Sequence, residues 1–134
     1  YKGMRLYTVL LLGHSKLDNK SLSSIEKRLR ETVCRLISEN GNVRFLIGYG
    51  GEFKDLSKII IEDAIKKLGS SGSKIEALTN AHGKYMHFSK LSADCMCIDN
   101  SDFVIVYFYH KEGHAYFAYE YAKSKGKPSI NIAD

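Results

Sequence analysis

The chain has 134 residues, 44% of them hydrophobic and 26% charged, with a formal net charge of +5. That balance sets one globular domain with a real core and excludes a disordered or low-complexity chain. The basic residues are scattered rather than blocked, which suits small anionic ligands and lacks the dense patch of a dedicated nucleic-acid protein. Three cysteines, Cys34, Cys95 and Cys97, are too few and too odd for a disulfide scaffold and fit a reducing cytoplasm. No apolar run is long enough to cross a bilayer, so no membrane partner is expected. Residues 4–134 read as one domain, with Tyr1-Lys2-Gly3 ahead of Met4 left outside it.

Leu6–Gly13 carries the unbroken apolar run Val9–Leu12 and ends at a glycine, the pattern of a strand buried on both faces. Cap-type residues follow from Leu17 to Ser21. Leu22, Ile25, Leu29, Val33, Leu36 and Ile37 then recur at three- and four-residue steps and predict a helix that Asn40-Gly41 stops. Val43–Ile47 is a second strand, and Gly48-Tyr49-Gly50-Gly51 is its turn. Phe53, Leu56, Ile60, Ala64 and Leu68 mark a second helix, and Gly69–Gly72 a loop. Lys74–Leu78 reads as a third strand, Thr79–Lys90 as a loop over the site, and Leu91–Asn100 as a short helix. Asp102–Tyr109 is the strongest strand, with His110–His114 as its turn. Ala115, Ala118, Tyr121 and Ala122 mark a last helix, and Ser129–Ile132 a last strand with Pro128 at its start.

The order is β-α-β-α-β-(α)-β-α-β, which predicts a three-layer α/β fold with a five-stranded parallel sheet. Right-handed crossovers favour strand order 3-2-1-4-5. The first and fourth strands are then neighbours whose outgoing helices lie on opposite faces, and ligands sit beyond the carboxyl ends at such a switch point.

Three glycine-bearing turns leave that edge: Gly13-His14-Ser15, Gly48-Tyr49-Gly50-Gly51-Glu52, and His110 with Gly113-His114. Glycine lets backbone N–H groups approach phosphate, and a helix N-terminus favours negative charge. Each glycine alone equally serves a tight strand-to-helix turn. The ten residues Gly13, His14, Ser15, Gly48, Gly50, Gly51, Glu52, His110, Gly113 and His114 form the expected site for a nucleotide-like ligand. Glu52 is the candidate for a ribose hydroxyl or for acid–base work, or else a first-turn charge complementing its helix dipole. Asp102 lies at the opposite edge and suits a cap or turn contact. Neither a dinucleotide fingerprint nor a GxxxxGK[ST] loop is present. His110 and His114 stand at i, i+4, and with His14 a metal site is conceivable, but a glycine-containing turn breaks that helical logic and no HExxH is present, so no metal and no cofactor is assigned.

Val9-Leu10-Leu11-Leu12-Gly13-His14-Ser15 resembles the strand and Thr-Gly-His-Arg opening of the YpsA-like (DUF1273) branch of the SLOG superfamily. Phe45–Phe53 resembles that family's glycine-rich turn. Asn100–Tyr107, His110, Gly113 and Ala122–Pro128 resemble its C-terminal half. The chain departs from the pattern where Ser15 replaces arginine and where Lys54, not aspartate, follows Phe53. No basic cluster stands around Ser92–Asp94. The resemblance implies a Rossmann-like sheet that binds a nucleotide or nucleotide-derived ligand, in homo-oligomers.

For a homodimer the tyrosine-rich last helix (Tyr116, Tyr119, Tyr121) is the expected face, unless those rings pack within the chain. The alternative reading is an enzyme cleaving the N-glycosidic bond of a nucleotide, with Glu52 or Asp55 as its carboxylate. The PGGxGTxxE motif of the related phosphoribohydrolases is absent, and Phe117 stands where deoxyribosyltransferases carry their nucleophilic glutamate. A third reading, a nucleic-acid-associated domain, rests on the basic charge and on the related fold of DNA-processing proteins.

Overall fold

The computed structural model describes residues 6–13, 16–48, 51–77 and 97–133. Its strands are β1 (Tyr7–Gly13), β2 (Val43–Ile47), β3 (Lys74–Ala77), β4 (Phe103–Tyr107) and β5 (Ser129–Asn131). Its helices are α1 (Leu22–Asn40), α2 (Glu52–Leu68) and α3 (His114–Ser124). All pairings are parallel and the order is β3-β2-β1-β4-β5, as the sequence predicts. The expected loop at Thr79–Lys90 and most of the expected helix at Leu91–Asn100 lie outside the described residues, although residues 97–99 are helical.

The two-residue period of β1 sorts its side chains between two cores. Val9 and Leu11 pack with α1 and α2, whereas Leu10 and Leu12 pack with α3. Both sets are essentially inaccessible to water, which is why the run reads as continuously apolar. On α3 the buried positions are Ala115, Ala118 and Ala122. These small side chains let the helix lie close to the sheet. On α2 the buried stripe is Phe53, Ser57, Ile60, Ile61 and Ala64. Leu68, expected in that stripe, is instead 45% exposed at the helix end, beside the left-handed Gly69 cap.

β4 is shorter than the Asp102–Tyr109 run, and side chains explain both ends. At its start Asp102 ties β4 to β1 twice: its N–H donates to the Thr8 carbonyl at 2.7 Å, and its Oδ2 accepts the Thr8 N–H at 2.8 Å. This is a turn contact at the edge opposite the site. At its end Phe108 leaves the ladder, and the buried Asn131 amide takes over. Asn131 Oδ1 accepts the Phe108 N–H, and Asn131 Nδ2 donates to the Phe108 carbonyl, each at 3.2 Å.

Replacing Asn131 with alanine leaves both Phe108 backbone groups without these partners. At about 1–3 kcal/mol for each buried group left unpaired, a loss of several kcal/mol is expected in urea denaturation. A loss under about 1 kcal/mol would show that water or rearrangement replaces the amide.

Candidate functional site

β2, β1 and β4 are adjacent, so their carboxyl ends present three turns side by side. α1 and α2 cover one face and α3 the other, which puts the switch point between β1 and β4. Gly13 ends β1 in register with Tyr107 of β4 and is exposed. His14, Ser15 and Gly50 lie outside the described residues, as does Cys95.

Leu17 and Asp18, which lead into α1, are held by their neighbours. The Leu17 N–H donates to Glu52 Oε1 at 2.7 Å, and the Asp18 N–H donates to the Tyr107 hydroxyl oxygen at 2.9 Å. Asp18 in turn accepts the Lys20 N–H and the Ser21 hydroxyl, building the short 3-10 turn that leads into α1. The Tyr107 ring stacks on Phe53 of α2, with centroids 5.5 Å apart and planes 12° from parallel. Glu52 therefore joins α2 to the β1 turn while its carboxylate sits in the first turn of α2, where it complements the helix dipole.

The glycines are not equivalent. A side chain at Gly13 would meet the Phe53 ring, with Cγ 2.6 Å from an ideal Cβ. One at Gly48 would meet the Leu12 side chain, and the Leu11 carbonyl would lie 3.3 Å away. Gly48 also donates its N–H to that carbonyl at 2.9 Å. Packing within the chain accounts for both. Gly51 and Gly113 differ. They are the N-caps of α2 and α3, at φ 123° and 89° with ψ 178° in both, a region that essentially only glycine occupies. Neither N-cap residue supplies a side-chain cap.

Charge separates these two helix starts. The first turn of α2 already carries Glu52 and Asp55, whereas that of α3 carries no acid. Phe117 N–H is the first to bond back, to the Gly113 carbonyl at 3.1 Å. The backbone N–H groups of residues 114–116 precede that bond and are the groups an anion would meet. In the segment between β4 and that helix, Tyr109 is 44% exposed, with the exposed His110 ring 4.5 Å away at 60°. The fold thus brings together Gly13, Gly48, Gly51 and Glu52 around the β1 and β2 turns, and His110 and Gly113 at the end of β4.

Among the described residues no cluster of three or more His, Cys, Asp or Glu side chains is arranged to hold a metal. Cys34 is a free thiol, half-buried in α1. The sequence reading missed the Phe53–Tyr107 stack and the Tyr107 hydroxyl contact. Tyr107 was legible only as one more large residue in an apolar strand.

No protein-family model matches this chain, and no curated protein matches it. Among solved structures, a universal stress protein from Archaeoglobus fulgidus is similar, with 14% identity, coverage of 94% of this chain and 93% of that one, and a TM-score of 0.43. At that level no residue role passes from one chain to the other.

Burial pushes the Tyr107 phenol above the ordinary tyrosine value, and the Asp18 N–H bond, which favours phenolate, pulls the other way more weakly. Burial also raises Tyr7. The folded state keeps both phenols neutral after the unfolded chain has begun to lose their protons. Their contribution to stability is therefore complete below about pH 10, the ordinary tyrosine value, and is lost as pH rises through the folded-state values. Urea midpoints across that range are expected to fall, and less steeply in Tyr107→Phe than in the parent. An equal slope in both would remove Tyr107 from the effect.

Gly13→Ala is expected to destabilise by about 1–3 kcal/mol through overpacking. Adding Phe53→Leu should recover part of that loss relative to Phe53→Leu alone. A fully additive cycle would show that Phe53 is not what constrains Gly13.

Proposed function

We propose that this chain binds a nucleotide or nucleotide-derived ligand at the carboxyl edge of its sheet, as a ligand-binding or sensing module of the cytoplasm. The observation that carries the reading is the start of α3. A glycine N-cap in a glycine-only conformation supplies no side-chain cap of its own, and no acid occupies that turn. Phosphate would rest on the backbone N–H groups of residues 114–116, favoured by the helix dipole. The base would lie against Tyr109 and His110, both exposed in the segment that leads from β4 to α3. His14 and Ser15, which continue the chain from Gly13, belong to the proposal by their place in the sequence. The resemblance to the YpsA-like branch of the SLOG superfamily points the same way.

The acids at the start of α2 argue against a second phosphate there. Gly50, Gly51 and Glu52 then frame the sugar side. Glu52→Gln keeps an acceptor for the Leu17 N–H and so separates structure from chemistry. If the nucleotide-cleaving alternative holds, this variant retains binding and loses turnover.

A homodimer through α3 would rest on Phe117, which is 52% exposed. Of the three tyrosines, Tyr116 and Tyr119 pack on Phe108, and Tyr121 donates from its hydroxyl to Asp99.

Calorimetry with nucleoside mono-, di- and triphosphates tests the proposal. Binding is expected, with the matching nucleoside at least about tenfold weaker, since charge-assisted hydrogen bonds to phosphate are lost. Gly113→Ala, forced out of its conformation, should weaken nucleotide binding by a similar factor. If no nucleotide binds, or if Gly113→Ala folds and binds like the parent, the reading fails.

A further inference from the structure

Among the described residues β5 is an edge strand, paired with β4 alone. The Val104 N–H donates to the Pro128 carbonyl at 3.0 Å, and the Ile132 N–H donates to the Val106 carbonyl at 2.8 Å. Alternate residues of a parallel strand turn both backbone groups towards the same neighbour. Positions 128, 130 and 132 therefore face β4, and the N–H and C=O of Ser129 and Asn131 face outward. Such an edge is a template for another strand.

A groove of about 520 Å³ runs beside that edge, with β5 as its floor. One wall is the α1 stripe Arg28, Glu31, Thr32 and Arg35, and Tyr119 of α3 stands in the other. Both arginines are exposed. Ion pairs among the described residues use other cations, namely Arg30, Arg44, Lys67 and Lys74. Arg28 donates from Nη1 to the Ile132 carbonyl at 3.0 Å, which holds its guanidinium at the strand edge.

We propose that this edge takes an extended acidic segment of a partner protein, added alongside β5 as a further strand. Backbone bonds to Ser129 and Asn131 would set its register. Its side chains would point alternately towards α1 and towards α3. Arg28 and Arg35 are seven residues apart, about 10 Å along the helix. Glu31 and Thr32 lie midway between them. A carboxylate opposite Glu31 would be repelled, so the two acids flank a neutral residue, four positions apart at about 13 Å. Arginine side chains span the remaining difference. The intervening residues face Tyr119 and are apolar. The chemistry is acid, apolar, neutral, apolar, acid, read by backbone pairing and two guanidinium groups.

The test uses the full chain and an end-blocked, fluorescent peptide with the core Glu-Val-Ser-Val-Glu. Anisotropy is expected to show binding that weakens as salt rises. Arg35→Glu should lower affinity about tenfold, through one lost attraction and one new repulsion. Ser129→Pro removes an outward N–H without touching the β4 ladder and should lower affinity comparably. Both variants should keep the parent circular dichroism and thermal midpoint.

Four results would overturn the proposal. The peptide does not bind, or it binds Arg35→Glu and Ser129→Pro as well as the parent. Inorganic phosphate competes at the concentrations at which the peptide binds, which makes the groove a simple anion site. The parent self-associates through this edge, with the association lost in Ser129→Pro, which gives the edge to a second copy of the chain.

Discussion

The phenol of Tyr107 is the contact on which the edge of this sheet depends. Its ring stacks on Phe53 at the start of α2, and its hydroxyl oxygen receives the Asp18 N–H from the turn after β1. One side chain at the end of β4 thus fixes where two other connections cross. Phe53 in turn fills the space beside Gly13, so β1 must end in a residue without a side chain. Glu52 closes the arrangement by accepting the Leu17 N–H. Tyr107 is packed at its ring and hydrogen-bonded at its hydroxyl. Leu17 and Asp18, on the way from β1 to α1, are therefore tied to side chains of α2 and β4.

Electrostatics then separate turns that look alike in sequence. Gly51 and Gly113 start their helices in the same unusual conformation, and neither supplies a side-chain cap. α2 supplies negative charge to its own N-terminus through Glu52 and Asp55, and α3 does not. A fixed helix dipole next to two carboxylates has less to offer an anion than the same dipole left alone. By that asymmetry the start of α3, on the β4 side of the switch point, is more favourable to negative charge than the start of α2.

Much of the fold was legible because it depends on periodicity. The doubly buried β1, the α1 stripe from Ile25 to Ile37 and the alanine face of α3 are local patterns with one physical reading each. Chain order and handedness then fixed the sheet. Long-range polar contacts were not legible. Nothing local to Asn131 says that its amide substitutes for a strand at Phe108, and nothing near Asp102 names Thr8 as its partner. The glycines were only half legible: sequence marks all of them alike, whereas Gly13 and Gly48 answer to packing and Gly51 and Gly113 to backbone conformation. The Arg28, Glu31, Thr32 and Arg35 stripe had a readable spacing, but its meaning depends on the edge strand beside it.

The most direct measurement is an amide-resolved NMR titration with nucleoside di- and triphosphates. The largest shifts are expected on the backbone amides of residues 114–116, with smaller ones at Gly13 and His110. Shifts centred on the first turn of α2 or on β5, or no shift at any nucleotide concentration tried, would contradict this.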